Sequence, residues 1–155
     1  MTKIYVNVTC DLFHYGHLSF FKKARGFGDY LIVGVCSDEE VAVHKWPPIM
    51  NLNERVAVIE CCKLVNEVIP GVPFETTEKF IKEHQIDLVV ATKSYSKEVL
   101  NKFYKDPLKM NILKLVNYEE GISTSSIVER CAQLFNKRKK LQKNVIFLAL
   151  NKTSN

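Results

Sequence analysis

Tyr30-Leu31-Ile32-Val33-Gly34-Val35 runs for six residues without a charge, between Gly28-Asp29 and Ser37-Asp38. A strand with one wet face alternates apolar and polar residues, and this run does not. It suits a parallel sheet whose two faces are both covered by helices. Leu88–Ala91 repeats the pattern, Lys3–Val8 and Ile112–Val116 approach it, and Glu67–Ile69 reads as a short strand stopped by Pro70-Gly71. Segments of helical spacing lie between these runs. His17–Arg25 places Leu18, Phe21 and Ala24 on one face, and Asp38–Val43 follows Ser37 as a cap. Asn53–Val65 aligns Val56 and Ile59 with Cys62 or Lys63, and Thr76 or Thr77 opens a helix to His84 with Phe80 and Ile81 inward. Ser96–Lys105 ends at Asp106-Pro107, and Ser123–Lys139 begins at Ser123 or Thr124. His44 to Asn51 must be a loop, because Pro47-Pro48 cannot continue a helix. Such alternation implies an α/β fold with a parallel sheet and right-handed crossovers.

The chemistry concentrates where the first strand gives way to the first helix. Ile4-Tyr5-Val6 stops at Asn7, a turn follows, and His14-Tyr15-Gly16-His17 leads into helical spacing. The first N–H groups of a helix have no internal partner and that end is partly positive, which favours a phosphate. Imidazoles there add donors, and Gly16 leaves room for a ligand. Lys45, in a loop, supplies a mobile positive charge, and Ser123 with Thr124 opens a second helix as a further anion site. Taken singly, each has a plainer reading. Two histidines three apart are ordinarily a surface pair or a capped helix start. Lys45 alone is a solvated lysine, and Ser123 and Thr124 alone are caps.

A net charge of +5 on 155 residues suits a phosphorylated substrate and does not by itself call for nucleic acid. Much of the excess lies in Lys137-Arg138-Lys139-Lys140 with Lys143. Five cysteines without CxxC spacing read as small buried hydrophobes in a reducing compartment rather than disulfides or zinc ligands. With no signal-peptide pattern and no apolar run approaching a bilayer span, a cytoplasmic protein without membrane contact is expected. Val145–Leu150 follows the basic segment. It can pack on the domain, cover a dimer surface or touch a membrane, and docking on its own domain is the favoured reading.

The HxGH at His14–His17 resembles the signature of the nucleotidyltransferase superfamily. Gly28–Val35, Ser37-Asp38-Glu39-Glu40, His44-Lys45 and Pro47-Pro48 resemble ethanolamine-phosphate cytidylyltransferases, and Asn53-Glu54-Arg55 fits the choline-phosphate branch equally well. Gly121-Ile122-Ser123-Thr124-Ser125 resembles a second family motif, so the similarity covers roughly residues 3 to 135. The resemblance implies a Rossmann-like nucleotidyltransferase fold with a five-stranded parallel sheet, a catalytic domain over residues 1–139 and a basic, apolar tail over 140–155. It implies transfer of CMP from CTP to a small phosphomonoester, phosphoethanolamine before phosphocholine, giving a CDP-alcohol and pyrophosphate for phospholipid synthesis. It assigns catalysis to His14, His17 and Lys45, and nucleotide binding to Thr9, Asp11, Gly16, Gly121, Ile122, Ser123 and Thr124. Thr9 would touch a phosphate and Asp11 would position the loop. Trp46, where the ethanolamine enzymes usually have glycine, covers the substrate or shields the loop, and Lys93 is a second substrate-site candidate. Mg2+ would enter with the triphosphate, with no metal held by the protein itself. A homodimer is expected, with no nucleic-acid partner.

Three positions depart from the family pattern. Val8 replaces a glycine, which brings a bulkier side chain towards the nucleotide. Ala91-Thr92-Lys93-Ser94 replaces His-Gly-Asp-Asp, removing carboxylates that help hold the base. Tyr118-Glu119 replaces an Arg-Thr pair, which exchanges a cation for a carboxylate and should weaken triphosphate binding. Two other readings therefore stand beside the cytidylyltransferase. One is a transferase of the same fold using another nucleotide such as ATP, and the other is a non-catalytic paralogue that dimerises with an active partner.

Overall fold

The computed structural model describes residues 1–152, with side chains through Lys139. The side chains of Val145–Leu150 therefore lie outside the described residues. The chain forms two compact units, Met1–Gly121 and a second that begins at Ile122. In the first, β1 (Lys3–Val8), β2 (Tyr30–Cys36), β3 (Glu67–Val72), β4 (Leu88–Thr92) and β5 (Leu113–Val116) form one parallel sheet in the order β3-β2-β1-β4-β5. This is the five-stranded α/β arrangement expected. Between the strands run α1 (Tyr15–Arg25), α2 (Asp38–His44), α3 (Leu52–Glu60), α4 (Glu78–Glu83), α5 (Lys97–Phe103) and α6 (Lys105–Lys109). The second unit carries α7 (Thr124–Lys152), a helix that continues past Lys139, where a domain boundary was expected.

Helices cover both faces of the sheet, as its uncharged central strands require. Ile4 and Val6 of β1 pack with Phe20, Phe21 and Ala24 of α1 and Ile59 of α3. Tyr5, pointing the other way, joins Ile32, Ile81, Val89 and Tyr104 on the opposite face. A side chain on Gly34 would collide with the Tyr5 ring and hydroxyl, so the neighbouring strand must be bare there. Ile4, Leu31, Ile32, Val33 and Val89 are fully buried, and removing one such side chain would cost about 2–5 kcal/mol.

Several elements differ from their sequence reading. The first helix begins at Tyr15 rather than His17, because His14 itself is the N-cap. The third stops at Glu60 rather than Val65: Cys62 and Val65 turn back onto Ile59 and Cys62, delivering Asn66 to the Leu31 carbonyl. β3 does not stop at Pro70. It is the edge strand, where a missing N–H is tolerated, and it passes through Pro70 and a left-handed Gly71 (φ 72°) with a register shift opposite Val35 and Cys36. Pro107 does not end the structure around it either, since it sits in the first turn of α6, where its absent N–H needs no partner. Cys10 and Cys36 are buried as expected, whereas Cys61 and Cys131 are exposed; all five thiols are free. Among the described residues no helix is long and apolar enough to cross a membrane.

Candidate active site

In this strand order the chain reverses direction across the sheet between β1 and β4, and the crevice beyond their C-terminal ends is where such sheets bind ligands. The turn leaving β1 enters that crevice. Cys10 and Leu12 hold positive φ angles of 54° and 47°, a conformation that costs side-chain-bearing residues energy and tends to persist at functional sites. Asp11 between them accepts hydrogen bonds from Ile49 N and Met50 N, both at 2.9 Å, and from Leu12 N at 3.1 Å. Its carboxylate thereby ties the loop after α2 to the turn after β1.

His14 ends the turn in extended conformation and caps α1 with its own ring: Nδ1 accepts from Gly16 N at 3.1 Å. His17 Nδ1 in turn accepts from His14 N at 3.3 Å, so the pair forms a reciprocal capping box. The two ring centroids lie 3.9 Å apart, and Phe13 stacks on His17 at 5.7 Å. Burial pushes the His14 imidazole down from its usual range, and burial, followed by the repulsion that two protonated neighbouring rings would suffer, pushes His17 down to about 4. Both rings are therefore neutral near pH 7. Because each Nδ1 accepts, each proton resides on Nε2, and both rings present an Nε2–H donor. His14 is 9% exposed, and its Nε2 is buried with no partner in the protein; Thr9 Oγ1 is in the same condition. Two buried polar atoms without partners beside a helix N-terminus mark a place where a ligand supplies the missing bonds.

Arg55, although part of a quoted motif, was assigned no role by sequence reasoning. It is fully buried and donates to Thr9 O (2.6 Å), Cys36 O (2.9 Å) and Met50 O (3.1 Å), and it pairs with Asp38. It thus joins the ends of β1 and β2, the start of α2 and the loop after it. The nearest sequence signal is the capping box of Asn51 and Glu54, which fixes where α3 begins and so where Arg55 points.

The remaining candidates fall in three places. Lys45 is the C-cap of α2, with its ammonium 5.5 Å from the centre of the Phe74 ring. Trp46 is 92% exposed and shields nothing in its own loop. His44 packs edge-on against Phe74 and Phe103. Lys93 is exposed at the end of β4, its N–H bonded to Val116 O, and next to it Thr92 and Ser94 share a hydroxyl–hydroxyl hydrogen bond of 2.9 Å. Val8 turns its side chain onto the core cluster of Ile4 and Val6. Glu119 accepts from Ser19 (2.6 Å) and Lys23 (3.2 Å), so its charge is matched on α1. Gly121, with φ 86°, closes the first unit. Ile122, Ser123 and Thr124 belong to the second, where Ser123 caps α7 by accepting from Ser126 N and the Ser126 hydroxyl bonds back to Ser123. No cluster of three or more metal-ligating side chains occurs among the described residues.

A parallel sheet with a histidine pair at its switch point defines an α/β protein of the class that binds ligands beyond the C-terminal ends of its strands, and the sequence narrows this further. Residues 6–130 match the cytidylyltransferase-like family model, and the chain belongs to that family. It is 36% identical over 129 residues to ethanolamine-phosphate cytidylyltransferase of Dictyostelium discoideum, covering 83% of this chain and 36% of that protein. It is 34% identical over 154 residues to choline-phosphate cytidylyltransferase A of Rattus norvegicus, covering 96% of this chain and 42% of that protein. The chain thus spans well under half the length of the curated relatives it matches. The crystal structure of the lipopolysaccharide core biosynthesis protein from Thermoplasma volcanium shares the fold, with a TM-score of 0.61 at 24% identity over 79% of this chain and 99% of that one.

Proposed function

We propose that this chain transfers CMP from CTP to a small phosphomonoester, phosphoethanolamine before phosphocholine, releasing pyrophosphate. The observation that carries the reading is the pair of buried, unpartnered polar atoms, His14 Nε2 and Thr9 Oγ1, in the turn that leads from β1 into α1. An oxygen of the phosphomonoester attacks the α-phosphorus, a new P–O bond forms, and the bond to the β-phosphate breaks. The nucleophile is already ionised near neutral pH, so no general base is needed. What the protein must supply is alignment and charge stabilisation.

Neutral Nε2–H donors on His14 and His17 meet that need without moving a proton. Thr9 donates from its hydroxyl, Lys45 brings a mobile cation, and Asp11 holds the Lys45 loop to the turn. Gly121, Ile122, Ser123 and Thr124 add a second anion site at the start of α7. Trp46 and Lys93 serve the phosphomonoester. Mg2+ enters on the triphosphate's own oxygens, its usual mode of binding with nucleotides. Five free thiols favour a reducing compartment, the cytoplasm. The active form is a homodimer, so a monomer by light scattering at micromolar concentration would refute that element alone.

A pyrophosphate-release assay with CTP or ATP against a panel of phosphomonoesters tests the reaction. CTP with phosphoethanolamine should give the highest rate. Turnover with ATP alone would assign another nucleotide, and no turnover with any pair would favour a non-catalytic partner of an active subunit.

A further inference from the structure

Tyr118 stands immediately before Glu119 in the connection that leaves β5, and its hydroxyl reaches the first turn of α1. A Cβ placed on Gly16 would lie 2.9 Å from the Tyr118 hydroxyl and 2.9 Å from Cε1 of His14. The hydroxyl therefore sits over the bare backbone of Gly16, beside the ring whose Nε2 lacks a partner. Among the described residues it makes no hydrogen bond of its own.

Its position is not left to chance. Lys23 donates to Asn117 O at 3.0 Å and to Glu119 at 3.2 Å, and Ser19 donates to Glu119 at 2.6 Å. Three hydrogen bonds from α1 thus grip the chain on either side of Tyr118. Hydrogen bonds from Ser19 and Lys23 lower the Glu119 carboxyl from its usual range, so the grip keeps its charge. Burial raises the Tyr118 phenol, which stays protonated and able to donate throughout the neutral range.

We propose that Tyr118 is a phosphate-binding residue: its hydroxyl donates to a phosphoryl oxygen held over the first turn of α1, and Glu119 latches onto Ser19 and Lys23 to keep it there. The inference rests on the reading of this site as one that binds phosphate. It also reverses the effect expected of Glu119 from the sequence. A bare carboxylate would repel a triphosphate, whereas a latched one positions a donor for it.

The two possibilities have opposite signs in one experiment. Calorimetry with inorganic tripolyphosphate reads the phosphate site without requiring base recognition or transfer. Tyr118→Phe keeps the ring and removes the donor, and it should weaken binding about tenfold with an unchanged melting temperature. Glu119→Ala should weaken binding by releasing the latch. Repulsion would instead make that variant bind more tightly, and this would overturn the proposal. Binding by Tyr118→Phe equal to or tighter than wild type would also overturn it, as would wild-type protein that fails to bind tripolyphosphate. Loss of binding in both variants, in a protein that transfers no CMP, would refute the proposed reaction and leave Tyr118 in place.

Discussion

Replacing Arg55 with methionine tests whether the site is assembled from beneath. The guanidinium is fully buried and serves three carbonyls, those of Thr9, Cys36 and Met50, besides Asp38. Methionine refills most of the volume, so the cavity contribution is small. Asp38 is 37% exposed and can find water, which limits the cost on its side. The three carbonyls lose their donor, at about 1–2 kcal/mol for each that stays dry. Breaking a buried charged pair typically costs about 3–5 kcal/mol, in agreement with that sum. The melting temperature should fall by roughly 6–20 °C. Nucleotide affinity should fall with it, because Thr9 and the loop of Lys45 share this one anchor. Arg55→Lys keeps the charge but not the fork, and should melt between the two. Urea and thermal denaturation of all three proteins, with calorimetric CTP binding below the transition, make the measurement. If Arg55→Met melts within about 2 °C of wild type, the guanidinium is a passive filler and the reasoning fails.

Turnover should fall by about two orders of magnitude in His14→Ala and in His17→Ala, since in the proposed reaction their donors act on charge that develops during transfer. His14→Ala should also lose about 1 kcal/mol of stability with its helix cap, whereas His14→Asn keeps a cap and isolates the catalytic loss; near-normal turnover in either alanine variant would remove these residues from catalysis. Unfolded, His17 takes up a proton near 6.5; folded, it does so only at about 4. Between those values the unfolded chain binds more protons, so acid destabilises the fold by up to about 3 kcal/mol from this residue. His17→Gln should flatten that part of the stability–pH curve, and an unchanged slope would show that the ring is not held neutral. CTP should bind more tightly than ATP, but by a narrow margin, because Lys93 and Ser94 replace the carboxylates of the family pattern that the chain resembles. Calorimetry under matched magnesium decides this, and strong CTP selectivity would show the carboxylates to be dispensable.

Much of this protein is written in short stretches of its chain. An uncharged run such as Tyr30–Val35 has no polar face to give to water, so a parallel sheet between helix layers follows from local composition alone. The cap at Ser37 was equally legible, and that of α4 was narrowed to Thr76 or Thr77, because a side chain that bonds three residues ahead needs no distant partner. Readings failed wherever a distant part of the chain decided the outcome. Cys61–Val65 has helical spacing, but Asn66 must reach Leu31, and the helix gives way. Pro70 would end a central strand and survives only because tertiary pairing makes β3 an edge. The site divides in the same way. His14 and His17 could be picked out by spacing, while their neutral state and the nitrogen that carries each proton come from burial and from backbone N–H groups placed by the fold. Arg55 was visible only as part of a motif, since its acceptors lie 5 to 46 residues away in sequence. Glu119 looked like a misplaced negative charge until α1 set Ser19 and Lys23 against it, about 100 residues earlier in the chain. Periodicity and capping are short-range physics, and a sequence displays them directly. Desolvation and the pairing of buried charges depend on what lies across the fold, and only the folded chain fixes them.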